Sequence, residues 1–480
     1  VRASPTWSSL PSLPQLAREL RSGKRSALAL TEQCLARQAD LERVTRAYKT
    51  PSPALALELA MAADAAFAGG HDRGLLQGIP ISVKDLFAVS GLATYAGTAT
   101  RLGGPWEVDG ALVAALRAQL APLVGKTHTV EIAFGGLGTN PHWGTPRNPW
   151  SRDGHRVPGG SSAGAGISVV EGSALIALGT DTAGSVRIPA SMSGCVGLKT
   201  TAGHWPMQGI FPLSSSFDSV GLLARSAVDA AFAFAALERA LGREVQVPER
   251  RALAGLRIGV PEQFFWHGCS AGVGTAVHEA LHELEAGGAH LVPLDLDDAD
   301  EVFECFRQGG LTAAECYSFI DENFPRLFDA LDPSVAERVR DGATLSAADY
   351  LRRKARLRTL ALRAATSLLD VDVLAAPTVP ITPPTVAELR NLETYRRANR
   401  MALRNTSVVS LLGLSALSMP VGLDACGLPV GMQLVARADC EVALLGAAQA
   451  CERRLGCASE RLGAPPLLAA PDSALEMHPA

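Results

Sequence analysis

The chain has 480 residues, 47% of them hydrophobic and 19% charged, with a formal net charge of −4. It has the apolar sequence for a large core, and its charged fraction lies below the roughly 25% of an average soluble protein. The mild acidity and the lack of a dense Lys/Arg tract argue against a nucleic-acid partner, and no run approaches the ~18 apolar residues of a membrane span.

Length alone predicts two or three domains, although large α/β enzymes break that prior. Nine cysteines are scattered with no C-x-x-C pair, which reads as reduced thiols in a cytoplasmic protein. The opening VRASPTWSSLPSL has no charged segment followed by an apolar one, so no signal peptide is expected.

In chain order, Pro14 to Ala68 reads as helices, with Thr31 a candidate cap for the second. Leu76 to Val83 is the first convincing strand. Gly91 to Gly104 is a loop expected to bring Thr94, Tyr95 and Gly97 near a site. Ala111 to Leu120 is helical, and Leu123–Thr127 is a second strand. Gly135 to Trp150, rich in Gly, Pro and Asn, is an extended loop. From Pro158 to Thr200 two serine-bearing glycine turns flank an apolar segment long enough for a helix and a strand. Strands are expected again near 256–260, 291–296, 371–377 and 429–433, with a largely helical stretch over 300–370. The basic run Leu351 to Arg358 reads as the solvated face of a helix. This alternation predicts an α/β fold: one central sheet, mixed and mostly parallel, covered by helices on both faces. The division expected is an N-terminal helical region at 1–70, one large α/β unit at 71–463 with a helical cap near 300–370, and a loose tail at 464–480.

Chemistry concentrates in three places. Gly159-Gly160-Ser161-Ser162-Ala163-Gly164 and Asp181-Thr182-Ala183-Gly184-Ser185 are turns that offer serine hydroxyls and backbone N–H groups. Upstream, Ile79-Pro80-Ile81-Ser82-Val83-Lys84-Asp85 is an apolar strand ending in a lysine. A lysine desolvated at a buried strand end favours its neutral form and can take a serine proton.

These motifs, with the two serines Ser161 and Ser185 24 residues apart, resemble those of the amidase signature hydrolases. The resemblance runs from Ala63-Asp64 to Gly431-Met432-Gln433. It implies a Ser–Ser–Lys triad: Ser185 the nucleophile, Ser161 the bridging serine after a cis peptide bond, and Lys84 the base. It implies an oxyanion hole from the N–H groups of Thr182, Ala183, Gly184 and Ser185, an acyl-enzyme, and no cofactor or metal. Ser162 is expected to position Ser161, and Asp181 with Arg187 to brace the nucleophile turn. Asn140, Arg147 and Asn148 are expected to stitch the preceding loop, and Asp218 with Arg225 a later one. Ala163, Ala183 and Thr200 depart from the commonest family pattern, where Gly, Gly and Pro are usual, without removing a triad member.

Two other patterns compete. Gly160-Ser161-Ser162-Ala163-Gly164 satisfies G-x-S-x-G, which would make Ser162 a nucleophile, but HRVPGG is a poor strand to precede it. His278-Glu279-Ala280-Leu281-His282 satisfies the H-E-x-x-H zinc pattern. At about 100° per residue, however, His278 and His282 point away from the apolar face set by Val273, Val277, Ala280, Leu281 and Leu284.

For substrate, Phe134, Gly135, Trp205, Met207 and Phe211 are expected to line an apolar pocket without a carboxylate-binding arginine. The expected activity is therefore hydrolysis of small aryl or alkyl amides, with carbamates (urethanes) and esters as further candidates. The alternatives are a non-catalytic role and a transamidase-type role within a larger complex, and a homodimer is compatible with the reading.

Overall fold

The computed structural model describes residues 10–469 apart from 295 and 310. The start of the chain up to residue 9 and most of the expected tail, 470–480, lie outside the described residues. Eleven strands form one sheet: β1 (Tyr48–Pro51), β2 (Ile81–Lys84), β3 (Leu123–Thr127), β4 (Ile176–Asp181), β5 (Val196–Lys199), β6 (Ser219–Ala224), β7 (Arg257–Val260), β8 (His290–Pro293), β9 (Val373–Pro377), β10 (Ser415–Leu423) and β11 (Pro429–Ala436). Their order is β1-β3-β2-β4-β6-β5-β10-β11-β9-β7-β8.

The sheet is mixed, but the expectation that it is mostly parallel does not hold. Parallel pairing is confined to β2 with β3 and β4, and β7 with β8 and β9. The centre, β4-β6-β5-β10-β11-β9, is antiparallel throughout. A helix follows β2 and β7 and returns the chain for its parallel neighbour, β3 or β8, whereas β10 and β11 are joined by a short turn at Asp424–Leu428, which permits only antiparallel pairing.

The N-terminal segment also differs from an all-helical reading. Between the helices Ala27–Thr45 and Pro53–Ala68 it contributes β1, which extends the sheet antiparallel to β3. Ser26, not Thr31, caps the helix 27–45 by accepting from Ala29 N at 3.2 Å. The helix Leu392–Leu411 runs through a short turn into β10. No cysteine is paired. No helix among the described residues is long and apolar enough to cross a membrane.

Two features of this architecture position the site. β2 and β4 are parallel neighbours, with Val83 opposite Leu178, so Lys84 and Thr180–Asp181 leave the sheet at the same edge. The helix Ala163–Val170 connects β3 to β4 and starts at that edge. It packs so closely that a Cβ on Gly164 would lie 1.9 Å from the Ala47 carbonyl oxygen. Only glycine allows this approach, which holds Ser161 and Ser162 against the ends of β2 and β4.

Candidate active site

Lys84 is fully buried. Its Nζ donates to Ser161 Oγ at 2.7 Å and to Thr180 Oγ1 at 2.9 Å. Burial lowers its pKa to about 7, against the pull of Asp218 and Asp181 toward the charged form. A neighbouring lysine shows what is special here. Lys126, on β3, is equally buried but has Asp85 Oδ1 at 2.8 Å. Asp85 therefore serves Lys126, and among the described residues Lys84 has only hydroxyls as hydrogen-bond partners.

Ser161 follows a cis peptide bond from Gly160. Its carbonyl accepts from Val130 N at 3.1 Å. The next residue donates its N–H to the Ser185 carbonyl at 3.1 Å, so the two serine turns touch through their backbones. Ser185 is 3% exposed and opens into a cavity of about 770 Å³. Among the described residues its hydroxyl makes no hydrogen bond to Ser161 Oγ. Ser162 does not act on Ser161 directly, because its hydroxyl donates instead to the Thr180 carbonyl at 3.4 Å.

The Asp181–Ser185 turn is built around a buried ion pair. Arg187 Nη2 and Nε lie 3.1 Å from the two Asp181 carboxylate oxygens. Burial pushes the Asp181 carboxyl up, but Arg187 and the Val186 N–H outweigh it and hold it at about 2. Arg187 also donates to Gln433 Oε1, Thr406 O and Ser410 Oγ, tying the turn to β11 and to the helix 392–411. Asp181 Oδ1 accepts from Gly184 N at 2.7 Å. That N–H is thus withdrawn from the expected oxyanion set, leaving Thr182, Ala183 and Ser185. Gly184 has φ +132°, and a Cβ there would lie 2.1 Å from Thr406 Oγ1, so the turn requires glycine.

Asp218 and Arg225 do not form one unit. Asp218 accepts from Thr182 Oγ1 at 2.5 Å and from the Leu213 and Ser214 N–H groups. Burial raises its carboxyl to about 6. Arg225 pairs with Asp229 at 3.1 Å and binds the Leu10 and Pro11 carbonyls. Asn140 bridges the Gly97 and Thr129 carbonyls, and Asn148 bridges those of Val157 and Met192. Arg147 reaches the Gly154 carbonyl at 3.3 Å.

The pocket expectation needs the largest correction. Phe134 and Gly135 line the cavity with Ser185, Thr182 and Ala183, but Trp205, Met207 and Phe211 do not. Trp205 packs on Phe234 and bonds Glu238 through its indole N–H. Phe211 sits among Trp106, Phe319 and Phe324. Nor do Thr94, Tyr95 and Gly97 reach the cavity. Thr94 accepts from Lys126 and Tyr95 lies against Lys49 and Trp143.

The rest of the lining comes from 306–313, 337–353 and 395–403, and it carries Arg307, Arg338, Arg353, Arg396 and Arg400 against Glu337, Asp341 and Asp349. The lining therefore carries more cationic than anionic side chains, interleaved with the apolar Phe134, Phe306, Leu213 and Leu403. Arg353 comes from the basic run read as a solvated face. Sequence reasoning missed Thr180, Thr406 and Arg338. Thr180 lies beside the recognised Asp181, but nothing local marks Thr406 or Arg338.

The rival motif brings no site together. The His278 ring stacks on Trp266 at 4.1 Å between centroids, while His282 is exposed 3.7 Å from Glu285. Among the described residues no third ligand joins them. The one potential ligand cluster found there, His204, Asp439 and Glu441, is elsewhere.

A large mixed sheet flanked by helices, with a buried lysine bonded to Ser161 and that serine's turn touching the turn of the cavity-lining Ser185, defines a class of hydrolases acting on C–N bonds. The family description Amidase matches residues 29–445, and the chain belongs to this family. It is 50% identical over 457 residues, covering 95% of this chain and 98% of the relative, to 2-amino-5-chloromuconic acid deaminase of Comamonas testosteroni. A solved structure described as an amidase superposes with a TM-score of 0.83 at 32% identity, covering 93% of this chain and all of the other. The native peptide amidase from Stenotrophomonas maltophilia superposes with a TM-score of 0.80 at 28% identity, covering 95% of this chain and 98% of the other.

Proposed function

We propose that the chain hydrolyses the C–N bond of a small amino dicarboxylate of the aminomuconate type, releasing ammonia, with Ser185 as nucleophile. The observation that carries the chemistry is the buried Lys84, at about pKa 7 and 2.7 Å from Ser161 Oγ. A lysine that is substantially neutral near pH 7 accepts a proton, and burial is what makes it neutral. The arginines of the cavity lining and the 50% identical deaminase support the substrate class.

In the proposed sequence Lys84 takes the Ser161 proton while Ser161 takes that of Ser185. The Ser185 Oγ–carbon bond forms as substrate draws the two hydroxyls into line, since such contacts often tighten only in the reacting complex. With an amide, the carbon is the carbonyl and its oxygen gains the charge. The N–H groups of Thr182, Ala183 and Ser185 face that charge. Ser161 returns the proton to nitrogen, the C–N bond breaks, and the amine leaves an acyl-enzyme. With an aminomuconate the carbon attacked is that of the imine tautomer. Nitrogen takes the Ser185 proton through Ser161 and becomes an amino group. A proton from the neighbouring carbon then passes through Lys84 to that nitrogen, and ammonia leaves as the carbon–carbon double bond forms. Water adds to the resulting enol ether and releases Ser185, leaving oxygen on that carbon.

The test is release of ammonia or amine from a 2-aminohexadienedioate, a small aryl amide and an aryl carbamate by wild type, Ser185→Ala and Lys84→Ala. The expected result is preference for the dicarboxylate and loss of roughly 10³-fold or more in both variants. Preference for the neutral aryl amide or carbamate would return the substrate to the class expected from sequence. Full activity in Ser185→Ala would sink the nucleophile assignment.

A further inference from the structure

Resting on that reading of the cavity, we infer that Arg338 is the specificity residue that binds a substrate carboxylate remote from the C–N bond under attack. The cavity arginines are not equivalent. Arg307 is neutralised by Glu304 at 2.6 Å and Arg396 by Glu337 at 3.2 Å. Arg338 has no carboxylate within ion-pair distance among the described residues. Its guanidinium lies 4.1 Å from the centre of the Phe134 ring, and Nη2 donates to the Phe134 carbonyl at 2.6 Å.

This is a prepared site, because stacking and one fixed hydrogen bond restrict the side chain before any ligand arrives. The remaining N–H groups of a planar fork are then available to a carboxylate, which a guanidinium binds in two-point fashion. An arginine held over an aromatic ring also gives up little conformational freedom when it binds.

The support for Arg338 is equally specific. Its helix, Pro333–Arg340, starts at Asp332, whose side chain accepts from Ser334 N at 2.9 Å. Asp332 N in turn donates to Glu131 Oε2 at 3.0 Å. Glu131 is fully buried, and its other oxygen lies 2.6 Å from His142 Nε2. The helix is thus pinned to the segment 131–134 at two points, at its start through Glu131 and two turns later through Phe134. That segment continues as Ala133–Gly135 into the cavity wall beside Ser185. Arg338 is therefore held in fixed relation to the floor of the cavity, unlike Arg400, which is exposed and makes no such contacts.

The test uses a matched pair, the monoamide of muconic acid and its methyl ester, which differ by one negative charge far from the amide. Wild type, Arg338→Gln, Arg338→Lys and Arg397→Gln are compared, with thermal unfolding as a check on folding. Arg338→Gln should lose roughly ten- to hundredfold in kcat/KM on the acid, mostly through KM, and less than about twofold on the ester. Arg338→Lys should recover only part of the loss, and Arg397→Gln, an exposed arginine outside the cavity lining, should change either rate by less than about threefold.

Equal losses on acid and ester, or no loss on the acid, overturn the inference. Should Arg338→Gln fail to fold, competition on wild type decides. Muconate must inhibit at concentrations at least about tenfold lower than its dimethyl ester, and equal potency overturns the inference. Failure of the hydrolytic reading looks different. Wild type would then cleave neither amide, while calorimetry would still show muconate binding that Arg338→Gln weakens.

Discussion

The floor of the cavity and its cap solve opposite problems. In the floor and beneath it, Lys84, Ser161, Asp181, Arg187 and Ser185 are almost wholly buried, and of these Ser185 faces the cavity. The charged pair Asp181–Arg187 is surrounded by further hydrogen bonds to β11 and the helix 392–411. In the cap, the helices of 299–367 carry ion pairs that stand largely in water, such as Arg356–Glu301 and Arg352–Asp349. Burial in the floor lowers the pKa of a lysine and holds a turn rigid, which reaction chemistry requires. Solvent in the cap screens the charges, so each cap charge contributes little to folding and can be changed with little harm. On the proposed reading, chemistry and recognition fall on parts of the molecule with different tolerance to substitution.

This contrast is broken most severely at Arg187. Arg187→Leu leaves Asp181 charged and unpaired in the interior and should destabilise the fold by roughly 3–5 kcal/mol. Adding Asp181→Asn should recover part of the loss, as read by chemical unfolding. If the single variant unfolds like wild type, the floor is not organised as described. The Asp181 carboxyl, held at about 2, also sets an acid limit. A depressed carboxyl contributes stability above its unfolded pKa of roughly 4, and the contribution is lost as pH falls toward 2.

A finer test concerns Lys84. Only the neutral amine accepts a proton, so kcat/KM should rise with pH along a limb at about 7 and level off above it. The Asp218 charge favours protonated Lys84. Asp218→Asn should therefore move that limb toward acid, whatever it does to the absolute rate through Thr182. A limb that stays in place would detach Asp218 from Lys84.

The smallest effect is expected in the cap. Glu337→Gln removes the carboxylate partner of Arg396, with side chains 63% and 50% exposed. It should change unfolding free energy by less than about 1 kcal/mol. It should also favour anionic over neutral substrates slightly, by freeing a cation at the cavity. A loss of several kcal/mol would show that the cap is as tightly coupled as the floor.

Legibility in the sequence followed the same division. The strand ending in Lys84, the helix and strand between the two glycine turns, and the serines themselves stand out because glycine and apolar spacing are local signals. Ser26 displaced Thr31 as a cap because only Ser26 precedes the first turn of its helix. The direction of strand pairing was less readable, since apolar runs look alike in parallel and antiparallel neighbours once both faces are covered. The aromatic character of Trp205 and Phe211 suits a pocket, yet it serves a core equally well, and packing buries both there.

By itself, then, the sequence determined the family, the chemical groups available for C–N hydrolysis and most of the elements that carry them, because those depend on residue type and short spacing. Tertiary structure alone decided that Asp85 belongs to Lys126 and leaves Lys84 with hydroxyls, that Gly184 N serves Asp181, and that Arg338 meets Phe134. Each of these depends on which distant segments pack together, and burial and charge act on the groups that packing makes neighbours, whatever their separation along the chain.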